Sequence, residues 1–207
     1  MAKRTVVEGF LAITACVVFP MMALITFQSA FPINALLSET WRGIDVYISL
    51  LAPLGAIQAI AVYASATLVA NGRIRLNFKL SVLNGLVVPI GFFLTAPHGL
   101  LTTVYVYLVI NSAICSLMIY QMCKVSNISI TRCFNLFFPG LLAAVVVAMA
   151  SLVSSRISVT SPVMQWLISV SLSLIGALSV VFLYRSHLIH HFQALSATRF
   201  VKVRAAT

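Results

Sequence analysis

The feature that most constrains this chain is a stretch without a single charged residue, which runs from residue 80 to residue 123. One transmembrane helix needs about 20 apolar residues, because a helix rises about 1.5 Å per residue and the hydrocarbon core is about 30 Å thick. The uncharged stretch is therefore about twice as long as one crossing requires. Near its middle lie Ala96, Pro97, His98 and Gly99, which favour a turn. The pattern predicts two membrane helices joined by a tight turn.

The remainder of the sequence has the same character, because only 8% of its residues are charged and 61% are hydrophobic. A soluble domain carries charge on about a quarter of its positions, so this chain has too little polar surface to face water. The predicted membrane spans cover residues 10–30, 46–70, 80–95, 100–122, 136–154 and 163–184. These runs do not alternate polar and apolar residues as the strands of a membrane barrel do. We predict an all-α membrane protein, a polytopic bundle of six transmembrane helices.

The basic residues are distributed unevenly between the two sides of the predicted bundle. Eleven of the 13 Lys and Arg residues lie at the amino terminus, in the second and fourth connections, or after the last span. Only Arg42 and Arg156 fall on the opposite side. Short loops rich in Lys and Arg remain cytoplasmic, so both termini are predicted to face the cytoplasm. Topology thus explains the formal net charge of +10, and we predict no nucleic-acid partner.

The chain divides into a transmembrane lobe, residues 1–184, and a basic cytoplasmic tail, residues 185–207. In the tail, Leu188, Phe192 and Leu195 recur at helical spacing among basic residues. This spacing favours a helix that lies along the cytoplasmic membrane surface.

Neutral polar side chains are conspicuous inside the predicted spans. Gln58 lies in the second span, Asn84 in the third and Asn111 in the fourth. An amide in hydrocarbon must find a hydrogen-bond partner or reach water. Two interpretations follow: the amides hold helices together, or they line a hydrated cavity that binds sugar hydroxyls. Tyr63 is a further candidate for such a substrate path, with membrane-interface packing as its alternative.

Three cations surround the predicted cytoplasmic turn between the second and third spans. Arg73 and Arg75 follow the turn-forming pair Asn71 and Gly72, and Lys79 lies one helical turn further on. Cations placed just outside the membrane attract an anionic headgroup or a lipid-linked pyrophosphate. The asymmetric distribution of basic residues also explains them without any ligand. Both interpretations stay open at this point.

The acidic residues argue against catalysis. Glu8, Glu39 and Asp45 are the only carboxylates, and all three fall at or beyond the ends of predicted spans. Membrane transferases and hydrolases that use metals need clustered Asp, Glu or His ligands. The tail histidines between residues 187 and 191 have helical spacing, but no acid or thiol joins them. We predict no enzymatic activity, no metal site and no cofactor.

Two segments resemble a known family. Residues 35–41 read ALLSETW, which is similar to the apolar outer loop, Leu-Leu-Gly-x-x-Trp, of the oligosaccharide flippases of bacterial envelopes. These flippases form the polysaccharide-transporter branch of the multidrug/oligosaccharidyl-lipid/polysaccharide exporter superfamily. Residues 68–73 read LVANGR and are similar to the family's helix end and short Gly-Arg cytoplasmic turn. Ser38 replaces the usual glycine, and the remaining spans match in spacing and character more than in residues.

The resemblance implies a function, and it also implies that this chain is one of two helical lobes. Such flippases move lipid-linked oligosaccharide across the bacterial inner membrane for polysaccharide and lipopolysaccharide biosynthesis, through a cavity between two helical lobes. This chain resembles only the second lobe. We therefore expect a partial or truncated flippase whose partners are membrane lipid, the lipid-linked oligosaccharide and a second lobe, which is another chain or a copy of itself. The alternative is a non-transporting membrane subunit or scaffold of a glycan-assembly complex.

Overall fold

The computed structural model describes residues 2–36, 41, 43–154, 156 and 161–184. This part of the chain is helical and contains no β-strand. Its helices are α1 (Ala2–Gln28), α2 (Ala30–Leu36), α3 (Ile44–Ala70), α4 (Ile74–Thr95), α5 (Leu100–Val125), α6 (Ile130–Ser154) and α7 (Pro162–Leu183). The helix predicted for the tail lies outside the described residues.

Six of these helices, all except α2, are long and apolar enough to cross a membrane, which confirms the predicted fold class. Three of them begin six or more residues before the predicted spans: α1 starts at Ala2, α4 at Ile74 and α6 at Ile130. The predicted spans were bounded by charged residues. A helix continues beyond the hydrocarbon, however, because long Lys and Arg side chains near its end reach the polar interface.

Two connections at one end of the bundle close with the same backbone motif. Gly72 has a φ of 74°, and its N–H donates to the Val69 carbonyl at 2.9 Å. The N–H of Arg73 donates to the Leu68 carbonyl, also at 2.9 Å. This is a Schellman motif, in which a left-handed residue lets the chain satisfy the last helical carbonyls. Asn127, with a φ of 53°, takes the equivalent position after α5.

The opposite end contains the tight turn predicted in the middle of the uncharged stretch. A single 3₁₀ turn over Ala96–His98 follows α4, and Gly99 then has a φ of 97° and a ψ of 162°. Only glycine adopts this conformation at low cost, because it has no Cβ. The turn reverses the chain so that α4 and α5 lie antiparallel and pack against each other.

The long helices pack side by side in the order α7, α6, α1, α3, α5, α4. Helix α1 has extensive contacts with both α6 and α3. Through its contact with α3, the group of α1, α6 and α7 is joined to the group of α3, α4 and α5. The two outermost helices, α4 and α7, share no substantial contact within the described part of the chain. The six spans therefore form an open arrangement in which α1 and α3 occupy the interior.

The contact between α1 and α6 is the closest in the bundle. Gly140 of α6 packs directly on the backbone of Ala15 in α1, where a Cβ would overlap the Ala15 carbonyl. Near the end where α6 begins, a buried apolar cluster joins α1, α3, α5 and α6. Its members are Leu11, Ile60, Ala64, Met122, Cys123, Ile128 and Cys133. The central position of α1 thus rests on small residues and on a shared apolar core.

The short helix α2 was not predicted from the sequence. It follows α1 after a break at Ser29, and its Phe31 ring lies 5.6 Å from the ring of Trp166 in α7, measured between centroids. Of the loop pattern that carries the family resemblance, residues 37–40 lie outside the described residues.

Candidate functional site

One end of the bundle is basic. The antiparallel order places the starts of α1, α4 and α6 and the ends of α3 and α5 together there, and we call it the basic end. Its exposed cations are Arg73, Arg75, Lys79, Lys124 and Arg132. At the opposite end, Arg156 is the one exposed Lys or Arg among the described residues. The structure therefore separates the cations as the sequence pattern requires, while the side of the membrane that each end faces stays a prediction.

The three cations predicted to bind an anionic headgroup lie together at the start of α4. Arg73 precedes the first helical residue, and Arg75 and Lys79 are four residues apart on one helix face. All three are exposed, and none forms an ion pair with another described residue. Their N–H groups remain available, and the positive end of the α4 dipole adds to the local potential. This segment can attract a phosphate or another anion.

Arg132 has a different role, because it pairs with a buried carboxylate. Its Nε lies 2.9 Å from Glu8 Oε1 and its Nη2 donates to Glu8 Oε2 at 3.0 Å. The Glu8 side chain is 3% exposed, whereas that of Arg132 is 54% exposed. A carboxylate this deeply buried requires a paired cation, and the pair ties α1 to α6. Sequence reasoning placed Glu8 at a span end and missed the ion pair.

Gln58 bonds to another helix. Its Nε2 donates to the Tyr107 hydroxyl oxygen at 3.0 Å and so joins α3 to α5. Tyr107 also packs against Phe92 of α4, with ring centroids 5.5 Å apart. One amide thereby links the three helices of this group through a single tyrosine. Of the two interpretations of Gln58, this geometry supports helix packing.

A cavity of about 570 Å³ opens beside Tyr107, at the end of the bundle opposite the basic end. Its walls come from α3, α4 and α5 and the turn between α4 and α5. The lining residues are Leu51, Phe92, Ala96, Leu100, Thr103, Val104 and Tyr107. Thr103 donates its hydroxyl to the Gly99 carbonyl at 3.1 Å, so the walls are almost entirely apolar.

The two asparagines predicted to line a substrate path lie on the inner faces of their helices. Asn111 is 5% exposed, and its Oδ1 accepts a hydrogen bond from the Cys115 thiol at 3.3 Å. Asn84 is partly buried, and its Oδ1 is enclosed without a hydrogen-bond donor among the described residues. Neither amide is joined to Gln58 by a hydrogen bond. The structure therefore does not gather the predicted amides into one polar site.

Tyr63 also packs against a neighbouring helix. It is partly buried in α3, and its ring stacks on Phe10 of α1 with centroids 5.9 Å apart and planes 26° apart. Offset stacking of this kind adds to the apolar contact between the helices. The geometry supports packing as the role of Tyr63.

A second polar cluster, which sequence reasoning did not assemble, lies between α1, α6 and α7. The Ser151 hydroxyl accepts a hydrogen bond from Gln28 Nε2 at 3.0 Å and lies 3.3 Å from the Ser173 hydroxyl. Nearby, Ser169 donates to the Ser154 hydroxyl at 2.5 Å. All four serines are buried. The sequence could have indicated part of this cluster, because Ser169 and Ser173 are four residues apart and therefore share a helix face.

The described residues of the site offer electrostatic and hydrogen-bonding groups. No group of three or more His, Cys, Asp or Glu side chains that could hold a metal occurs in the described ranges. The four cysteines are free and buried. What the arrangement can do chemically is attract an anion at the basic end and pack apolar chains along its helices. Comparison with protein-family models, with curated proteins and with solved structures finds no match to this chain.

Proposed function

We propose that this chain is one lobe, the carboxy-terminal one, of a flippase that moves lipid-linked oligosaccharide across the bacterial inner membrane. In this proposal both termini face the cytoplasm, and the cations at the start of α4 meet the anionic headgroup. The chain carries out no covalent chemistry, and its partners are membrane lipid, the lipid-linked sugar and a second lobe.

The observation that carries the proposal is the open arrangement of the six spans. Helices α4 and α7 end the row without substantial contact with each other. Of the predicted amides, Gln58 is taken up in a contact between α3 and α5, and Asn111 bonds within α5. Such an arrangement supplies one wall of a passage. A cargo with a polar head needs a second wall, because lipid cannot satisfy its hydrogen bonds.

The basic end supports the choice of cargo. Arg73, Arg75 and Lys79 have no acidic partner among the described residues, so they can meet a phosphate at the membrane surface. Each Lys or Arg near an anionic membrane surface contributes about 1 kcal/mol to binding. Replacing all three should therefore weaken the binding of a pyrophosphate lipid by more than tenfold.

The test measures binding of a fluorescent polyprenyl-pyrophosphate disaccharide to the purified chain in nanodiscs. The variant is Arg73→Gln/Arg75→Gln/Lys79→Gln, and the matched control is Arg156→Gln, an exposed cation at the opposite end. We expect the triple variant to lose affinity and the control to keep it. Equal affinity in the triple variant and the wild type would refute a headgroup site at α4.

A second experiment separates a transporter lobe from a scaffold. Cross-linking in native membranes, followed by identification of the captured chain, should recover a second flippase lobe, either another copy or a separate chain. The transport activity of the purified pair is then measured with the same labelled lipid in proteoliposomes. Recovery of a glycan polymerase or glycosyltransferase in place of a lobe would favour the scaffold.

A further inference from the structure

The outward face of α5 carries hydroxyl groups at several levels between Thr102 and Tyr120, among exposed apolar side chains that include Val109 and Leu117. Thr102, Tyr105, Ser116 and Tyr120 are exposed on this face, and Ser112 is partly exposed beside them. Positions 102 and 120 are about 27 Å apart along the helix axis, which is nearly the thickness of the hydrocarbon core. We call these five residues the α5 hydroxyl face.

Most of these hydroxyls are unused by the fold. Thr102 donates to the His98 carbonyl at 3.2 Å. The hydroxyls of Tyr105, Ser112, Ser116 and Tyr120 meet no hydrogen-bond partner among the described residues. A hydroxyl left without a partner in hydrocarbon is unfavourable, and Ser112 and Ser116 lie near the middle of α5, far from either interface.

The outward face of α6 provides the contrast. Between residues 136 and 154 its exposed side chains are wholly apolar, which suits contact with lipid tails. They are Phe138, Leu141, Val145, Met149, Leu152 and Val153. The two helices are thus exposed to a similar degree and differ in chemistry.

The α5 hydroxyl face also leads to the basic end. Lys124 is exposed four residues after Tyr120 and continues the same helix face. The unpaired cations at the start of α4 lie at the same end of the bundle. A ligand that is anionic at one end and rich in hydroxyls along the rest would match this order of groups. Aromatic rings such as Tyr105 and Tyr120 also suit the apolar faces of sugar rings.

We infer that the α5 hydroxyl face, from Thr102 to Lys124, is the wall along which the sugar head of a glycolipid moves in a hydrated passage. The inference rests on the proposed function and deepens it by naming the helix face that meets the cargo. It also reassigns the polar path from the amides Gln58 and Asn111 to exposed hydroxyls.

The test is cysteine accessibility in proteoliposomes. Ser116→Cys is compared with Phe138→Cys, which lies at a similar depth on the outward face of α6. The native thiols are all buried, and the wild type therefore gives the background labelling. A charged, membrane-impermeant thiol reagent should modify Ser116→Cys about 100-fold faster than Phe138→Cys, because a charge enters hydrocarbon with difficulty. A polyprenyl-pyrophosphate disaccharide should then slow the modification of Ser116→Cys alone.

Three results would overturn parts of this inference. Equal, slow labelling at both positions would show that α5 faces lipid, whatever the chain transports. A disulfide between two Ser116→Cys chains would show that a second copy covers the face. Fast labelling that the glycolipid does not slow would leave a hydrated face but reject the glycolipid as its occupant, while binding of the same lipid at the start of α4 would still support the proposed function.

Discussion

Replacing Gly140 with alanine should separate two helices that the structure places in backbone contact. The added Cβ would overlap the carbonyl oxygen and carbon of Ala15, and Ala15 is fully buried. A backbone atom cannot rotate away as the end of a side chain can. The only relief is for α1 and α6 to move apart, which would disturb the helix that joins the two halves of the bundle.

The size of the effect follows from two opposing terms. Overpacking a tight interior usually costs about 1–3 kcal/mol, whereas alanine is favoured over glycine inside a helix by about 1 kcal/mol. Gly85 of α4 isolates the second term, because a Cβ there meets nothing within 4 Å. We therefore expect Gly140→Ala to be about 1–3 kcal/mol less stable than Gly85→Ala. Gly91→Ala should fall between them, since the closest atom to its Cβ would be the terminal Cδ1 of Ile110, at 2.8 Å, which can move away.

The assay is unfolding by SDS in mixed micelles, followed by circular dichroism, on the wild type and the three alanine variants. The transition should move to lower SDS in Gly140→Ala and should not do so in Gly85→Ala. If the two variants unfold at the same SDS fraction, α1 and α6 do not meet at these residues and the packing order derived above is wrong.

Three further predictions use the same assay or a topology reporter. Arg132→Met should lower the unfolding free energy by about 1–3 kcal/mol, discounted from a fully buried pair because Arg132 is half exposed, and Glu8→Gln should cost less because the guanidinium that it leaves is exposed to water; the reverse order would contradict the ion pair. A double-mutant cycle of Ser151→Ala and Ser173→Ala should give a coupling energy of about 0.6 kcal/mol, and a coupling of zero would rule out their hydrogen bond. Reporter fusions should place residue 132 in the cytoplasm and residue 156 outside it; the opposite result would invert the topology.

The number and type of the helices could be predicted from the sequence because the membrane imposes a simple rule. A backbone in hydrocarbon must satisfy its own hydrogen bonds, so a long apolar run has to be helical. The break in the uncharged stretch was also predictable, since Pro97 and Gly99 mark a turn. The ends of the helices were less predictable, because charge marks the edge of the hydrocarbon and not the last helical residue.

The pairing of the helices could not be predicted in the same way. Almost every face of these helices is apolar, so hydrophobicity does not distinguish a neighbouring helix from lipid. The contact of Gly140 with Ala15 and the pair of Glu8 with Arg132 join residues more than a hundred positions apart. Glu8 did carry a signal, because an acid at a membrane end requires a cation, but several cations at the same end were equally eligible.

Amide and hydroxyl side chains are placed differently within this bundle. An amide cannot satisfy all its donors and acceptors on its own helix, so Gln58 is drawn to another helix and Asn111 into the interior. A serine hydroxyl can turn to a carbonyl one turn earlier in its own helix, so it is tolerated on an outward face. Among these amides, Gln58 therefore marks a contact between helices. The Ser179 hydroxyl turns to such a carbonyl, whereas Ser116 makes no such bond to a described residue, so Ser116 is the better guide to a hydrated surface.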